Sequence, residues 1–175
     1  MPFADRLPRR IESRNWIRRA WDLLSGVPGG KVVFSRLVGR LAPYTGSIHA
    51  TVTVLRAGYA EVAMPDRKSL RNHLDCVHTV ALVNLAEFAA NMALGYTLPD
   101  DARFIVSGLE VEYAKKARGT IIAIADAPIP RTAARATYDV TVALRDSEGD
   151  VVARVTSHVL VGPKPGSTSD RGDVN

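Results

Sequence analysis

Hydrophobic and polar positions divide this chain into a helical start, one long apolar segment and a series of alternating strands. Residues 10–25 place Ile11, Trp16, Ile17, Ala20, Leu23 and Leu24 at helical spacing, and Gly26-Val27-Pro28-Gly29-Gly30 breaks that helix. Residues 31–41, with Val33, Phe34, Leu37, Val38 and Leu41 apolar, predict a second helix ended by Pro43. Residues 47–55 alternate, and residues 59–64 follow a turn at Arg56-Ala57-Gly58, which predicts two short strands. From about His78 to Gly95 nearly every position is apolar on every face, the pattern of a buried helix, with Gly95 and Pro99 as stop signals.

Strands follow. Residues 104–115 put Ile105, Ser107, Leu109, Val111 and Tyr113 on one face, and Gly108, Glu110 and Glu112 on the other. Residues 120–127 form the next strand. Ala136, Tyr138, Val140, Val142 and Leu144 face one way in the one after it. A hairpin turn at Asp146-Ser147-Glu148-Gly149-Asp150 leads into residues 151–161. One buried helix among many antiparallel strands predicts an α+β fold, a curved sheet wrapped around that helix. Such a sheet has edges, and pairing with a second copy is a common remedy. The expected division is a helical extension (1–30), a main domain (31–162) and a Gly/Pro/Ser-rich disordered tail (163–175).

Composition narrows the class. A chain of 175 residues supports a single domain with a sizeable core. One cysteine excludes an internal disulfide framework and points to a reducing cytoplasm. The net charge of +5 favours anionic ligands such as phosphates. Aromatics are few and no nucleic-acid motif is present, so nucleic acid is not the expected partner. The first nineteen residues, broken by Asp5, Pro8 and Glu12, lack the apolar core of a signal peptide. Residues 81–98 approach membrane-span length, but Asn84, Glu87 and Asn91 within them favour a buried helix over insertion.

The candidate chemistry centres on Glu87. A carboxylate in an apolar helix is costly unless paired, protonated or used. Asn84, Glu87 and Asn91 share one stripe of the helix, and the loop before it brings Asn72 and His78 near the helix N-terminus, where backbone N–H groups point outward. Each residue has a plainer reading: Glu87 paired with Arg or Lys at a subunit interface, Asn72 capping its own loop, and His78 capping the helix. Cys76 reads as a loop-packing thiol more readily than as a nucleophile. His73, Asp75 and His78 match no standard zinc spacing, so no metal and no other cofactor is expected. Arg67, Lys68 and Arg71 form one basic cluster, and Lys115, Lys116 and Arg118 a second.

The order of elements, Asn72 and His78 six apart, and Glu87 nine beyond His78 within Leu85-Ala86-Glu87 resemble the hotdog fold, and more narrowly the phenylacetate-pathway type of acyl-CoA thioesterase and its uncharacterised relatives. The segment Val111-Glu112-Tyr113-Ala114-Lys115-Lys116-Ala117-Arg118-Gly119 resembles that family's strand and Gly turn, and the likeness runs over about 33–160. Two departures from the pattern stand out: Asp75 stands where Gly is usual, and Thr79 and Val80 follow the His in place of small residues. The resemblance implies hydrolysis of an acyl-CoA thioester, with Glu87 as general base or nucleophile and the Thr79 backbone N–H polarising the carbonyl. Asn72, His78 and Ser107 would assist, Val106 competing with Ser107 for the strand position. It further implies that Arg67, Lys68, Arg71, Lys115, Lys116 and Arg118 hold coenzyme A phosphates, that Asn84 lines the pocket, and that the protein is a homodimer or homotetramer. A non-catalytic acyl-CoA- or lipid-binding module is the alternative.

Overall fold

A computed structural model describes residues 15–165. Residues 10–14 of the expected first helix, and the expected tail from 166 onward, lie outside the described residues. Helix α1 (Trp16–Leu24) starts at Asn15, whose Oδ1 accepts from the Arg18 N–H at 3.1 Å. It buries Ile17 and Trp21, and Trp21 meets Phe34 of helix α2 (Gly30–Leu41) edge-on at 5.2 Å. The turn between them requires glycine: a Cβ on Gly30 would sit 1.8 Å from the Leu24 carbonyl oxygen. A single helical turn, α3 (Pro43–Gly46), follows where the sequence pattern predicted only a stop at Pro43.

Strands β1 (Thr51–Arg56), β2 (Tyr59–Met64), β3 (Ala102–Tyr113), β4 (Ile121–Asp126), β5 (Ala136–Arg145) and β6 (Val151–Pro163) form one antiparallel sheet in the order β1-β2-β4-β5-β6-β3. Ile121, Ala123 and Ala125, then Val140, Val142 and Leu144, then Val155, Val159 and Val161 are buried in alternation, giving the sheet its inner face. Helix α4 (Thr79–Thr97) lies across that face, mainly over β2, β4 and β5. Ala86, Ala89, Ala90 and Ala93 are wholly buried there and let the helix approach closely, while Leu85 and Leu94 fill the core at about 1.5–3 kcal/mol each. This is the α+β arrangement the sequence pattern predicts.

Two details depart from the pattern. The helix is not buried all round: Val80 is exposed, and Val83, Glu87 and Asn91 are only half-buried, so one stripe of α4 is open. In β3 a bulge between Val106 and Gly108 makes Ser107 an extra residue against β6. Beyond it Leu109 and Val111 pair with buried Ser157 and Val155 and share their inward face, as expected. Before it Val106, opposite buried Val159, turns inward, while Ile105 lies outside at 65% exposure instead of sharing the Leu109 face. A period-two reading cannot register a bulge, because it advances one strand without its partner.

The C-terminal end of α4 is closed by protein. Asn15 Nδ2 donates to the carbonyls of Gly95 at 2.7 Å, Leu98 at 3.0 Å and Tyr96 at 3.2 Å, and an Arg18 guanidinium nitrogen donates to Leu98 O at 2.8 Å. These are carbonyls that a helix end leaves without partners of its own. Ile17 packs so tightly on Gly95 that a Cβ there would meet its Cδ1 at 2.7 Å.

Candidate functional site

The other end of α4 is built from the motif loop. Arg71 and Val77 bridge as an isolated pair, His78 N donates to Leu70 O at 2.8 Å, and Val77 N to Ala117 O at 2.9 Å. Asp66 locks the loop from outside. Its carboxylate takes two bonds from the Arg71 guanidinium, at 2.8 and 2.9 Å, and one from Gly119 N at 3.1 Å. The Arg71 guanidinium holds the Asp66 carboxyl below the usual carboxylate range. The loop is thereby fixed to the β3–β4 connection, which carries the second basic cluster.

Inside the loop, Asn72 Oδ1 accepts from Leu74 N at 2.9 Å and from the buried Cys76 thiol at 3.3 Å, so Asn72 organises its own turn. Asp75 has φ +52°, the left-handed conformation in which Gly is free and Asp is tolerated. Asp75 thus adopts a conformation open to glycine, the residue the resemblance leads one to expect there. His78 is the N-cap of α4. Its Nδ1 accepts from Val80 N at 3.1 Å, which places any ring proton of the neutral imidazole on Nε2. The N–H of Thr79, at the first helical position, has no acceptor among the described residues, and the residue is exposed. It is an unsatisfied donor at the positive end of a 19-residue helix.

Glu87 lies on the open stripe of α4 and makes no hydrogen bond or ion pair among the described residues. Asn91, one turn further on, has its Oδ1 buried without a partner. Across the inner face, Ser157 Oγ is also buried and unbonded. Ser157 is absent from the sequence-based candidates. Its signal was a polar residue at an inward position, between Val155 and Val159, of an alternating strand. Asn84 is buried and donates to Tyr44 O at 3.0 Å, tying α3 to α4. Ser107 is exposed at the bulge and donates to His158 O at 3.0 Å.

The basic residues separate into engaged and free ones. Arg71 is held by Asp66 and Asp75. Lys115 Nζ sits among Asp150 at 2.6 Å, Asp146 at 2.8 Å and Glu148 at 3.8 Å, and Asp146 foremost drives its pKa upward. Those three carboxylates are the one metal-type cluster among the described residues, and the Lys115 ammonium already sits among them. Lys116 and Arg118 are exposed without ion pairs and line a surface cavity of about 510 Å³ together with Lys115, Gly119, Ser147 and the carboxylates of Asp146 and Glu148. Arg67 lines a different groove, on the α2–α3 side, and Lys68 opens a short 3₁₀ turn on the surface.

The family profile described as Domain of unknown function (DUF4442) matches residues 30–161. The chain belongs to that family. Its fold is the hotdog fold, shared with solved proteins described as thioesterases. A structural-genomics protein, APC5556, is 31% identical with a TM-score of 0.73, over 85% of this chain and 99% of its own. A Pseudomonas aeruginosa protein described as a probable thioesterase is 20% identical with a TM-score of 0.68, over 79% of this chain and 97% of its own. A thioesterase family protein from Silicibacter pomeroyi is 16% identical with a TM-score of 0.64, over 74% and 96%. No protein of curated function matches the sequence. No helix among the described residues is long and apolar enough to cross a membrane.

Proposed function

We propose that this DUF4442 protein is an acyl-CoA thioesterase whose site forms between two copies of the chain. The observation that carries the reading is a pairing on one helix: an unbonded N–H at the α4 N-terminus and an unpaired, half-buried carboxylate on its open stripe. Thioester hydrolysis asks for those two groups, a donor for the developing oxyanion and a base for water. Water attacks the thioester carbon as Glu87 takes its proton, and the Thr79 N–H stabilises the oxyanion. Collapse expels the coenzyme A thiolate, which receives the proton from Glu87. Direct attack by the Glu87 carboxylate, followed by hydrolysis of the anhydride, uses the same groups.

Helix geometry argues for the second copy. Thr79 and Glu87 are eight residues apart, or about 12 Å along the axis. The N–H must reach the carbonyl oxygen while the carboxylate reaches the attacking water or the carbonyl carbon, each within about 3 Å, which favours one protomer's Thr79 working with the other's Glu87. Supporting features are the outer side of β3, which has no strand partner among the described residues, and the exposed Leu74, Val80, Ile105 and Tyr113 near the edge and helix start. Lys116 and Arg118 are the free cations best placed for coenzyme A phosphates; Arg71 and Lys115 position loops through their ion pairs. Asn72 and His78 shape the oxyanion loop.

The test is thiol release from short, long and aromatic acyl-CoAs by wild type and Glu87→Gln. The reading expects turnover on at least one class and a loss of about 10³-fold or more in the variant. Full turnover by Glu87→Gln rejects it. Binding of acyl-CoA without turnover by wild type moves the protein to the binding-module reading.

A further inference from the structure

The positive charge of the chain is not spread evenly. The first fifty residues carry nine Lys and Arg against three Asp and Glu; the remaining residues carry fourteen against fifteen. Within the described part of that segment the only carboxylate is Asp22, and it accepts from the Tyr96 hydroxyl at 2.9 Å.

The same segment concentrates exposed apolar side chains. Of the twelve large apolar residues that are exposed among the described residues, six lie between residues 23 and 44: Leu23, Val27, Val32, Val33, Leu37 and Tyr44. Val33 and Leu37 are four apart on the outer side of α2, with Phe34 and Val38 turned into the core. Single exposed apolar residues are ordinary, but a cluster interleaved with unpaired cations marks a surface that meets something.

Beside that face runs a groove of about 880 Å³ between α2–α3 and the β1–β2 end of the sheet. Arg36, Arg40, His49 and Arg67 line it, over a floor that includes Pro65 and Phe88. No carboxylate lines it, and none of the four basic side chains has a hydrogen bond or ion pair among the described residues. Three exposed arginines and a histidine around one groove with no carboxylate suit it to an anion.

We propose that the α1–α3 layer docks on an anionic lipid bilayer, the apolar residues of α2 entering the interface and the Arg36–Arg40–Arg67 groove receiving a headgroup phosphate. Apolar residues alternating with Arg and Lys fit the depth profile of a bilayer surface, where hydrocarbon lies just below phosphate. A protein partner could supply the anion but gives no reason for apolar residues and free arginines to share one helix face. Glu87 and Thr79 do not line the groove, and vesicle binding is read without any turnover, so its failure and the failure of the thioesterase reading are distinguishable.

The experiment is co-sedimentation of the full 175-residue chain with vesicles of phosphatidylcholine alone or with phosphatidylglycerol added. Expected is binding to the anionic vesicles, weakened by salt, with little binding to the neutral ones. Arg36→Glu with Arg40→Glu should lower binding by more than about tenfold. Val33→Asp with Leu37→Asp should also abolish it. Both variants should keep the wild-type circular dichroism and the same thiol release from a soluble short-chain acyl-CoA. Equal binding to neutral vesicles, no binding to anionic vesicles, or undiminished binding by either variant overturns the proposal. So does displacement by inorganic phosphate at constant ionic strength, which would reduce the groove to a site for the free ion.

Discussion

The two ends of helix α4 face the same physical problem and meet it in opposite ways. Each end of any helix leaves backbone groups unbonded. At the C-terminal end, Asn15 and Arg18 take up the carbonyls of Gly95, Tyr96 and Leu98, and Ile17 seals the end against solvent. At the N-terminal end, His78 caps Val80 but the Thr79 N–H is left bare, in a loop held rigid from below by Asp66 and from within by Asn72. The closed end is a stability device. The open end carries an unmet donor in a fixed place, which is what a site for a developing negative charge needs.

The strongest way to break this contrast is to remove the bare donor. Thr79→Pro deletes that N–H alone. Proline suits the first helical position, and His78 before it already has the extended conformation proline requires, at φ −64° and ψ 137°. Thiol release should fall by about 10²–10³-fold with the melting temperature little changed; an active Thr79→Pro protein would show that the open end is only unfinished. The reverse experiment attacks the closed end. Asn15→Ala strips a cap from α1 and three carbonyl bonds from α4, and should cost about 2–4 kcal/mol in urea unfolding. Its kcat on any substrate found should stay near wild type, since Asn15 lies at the far end of the helix.

Smaller effects sharpen the picture. Asp66→Asn should lower the melting temperature at pH 7 by loosening the loop from Gly119. The Asp66 pKa is depressed in the folded protein, so its contribution is present above the ordinary carboxylate value of 3.8 and disappears as pH falls through the folded value. Melting curves of wild type and variant should therefore converge at acid pH; a gap that widens on acidification would contradict the assignment. Smallest of all is Asp75→Gly. Relief of the left-handed conformation is worth about 0.5–1 kcal/mol, against loss of an exposed pair with Arg71 worth less than about 1 kcal/mol. Stability should change little and activity should be retained, as checked by the same unfolding and thiol-release assays.

The contrast also marks what could be read in the chain beforehand. The central helix was expected over about 78–95 and runs Thr79–Thr97, because a long apolar run between polar stops leaves little choice. The strand alternation was legible for the same reason, up to the bulge at Ser107, which period-two counting cannot register. The motif spacing pointed to the helix start and to Glu87. It could not foresee that Arg71 and Lys115 are held by Asp66 and Asp146, or that Asn84 is bonded to Tyr44 O, since those partners meet only through tertiary folding. The double role of Asn15 was invisible for the same cause: its acceptors lie some eighty residues away in sequence. Glu87 was expected deep in a fully apolar helix, and it sits on a stripe that the rest of this chain leaves uncovered.

The central claim is that Thr79 of one copy acts with Glu87 of another, and mixing inactive variants tests it most directly. Glu87→Gln and Thr79→Pro proteins are co-refolded in equal amounts and assayed for thiol release. If the groups act across the interface, half of the dimers are mixed, and each mixed dimer holds one intact site. Activity should then return to about a quarter of wild type from two nearly dead parents. If both groups acted from one chain, every site in the mixture would lack one of them, and the activity of the mixture would stay at the level of its parents.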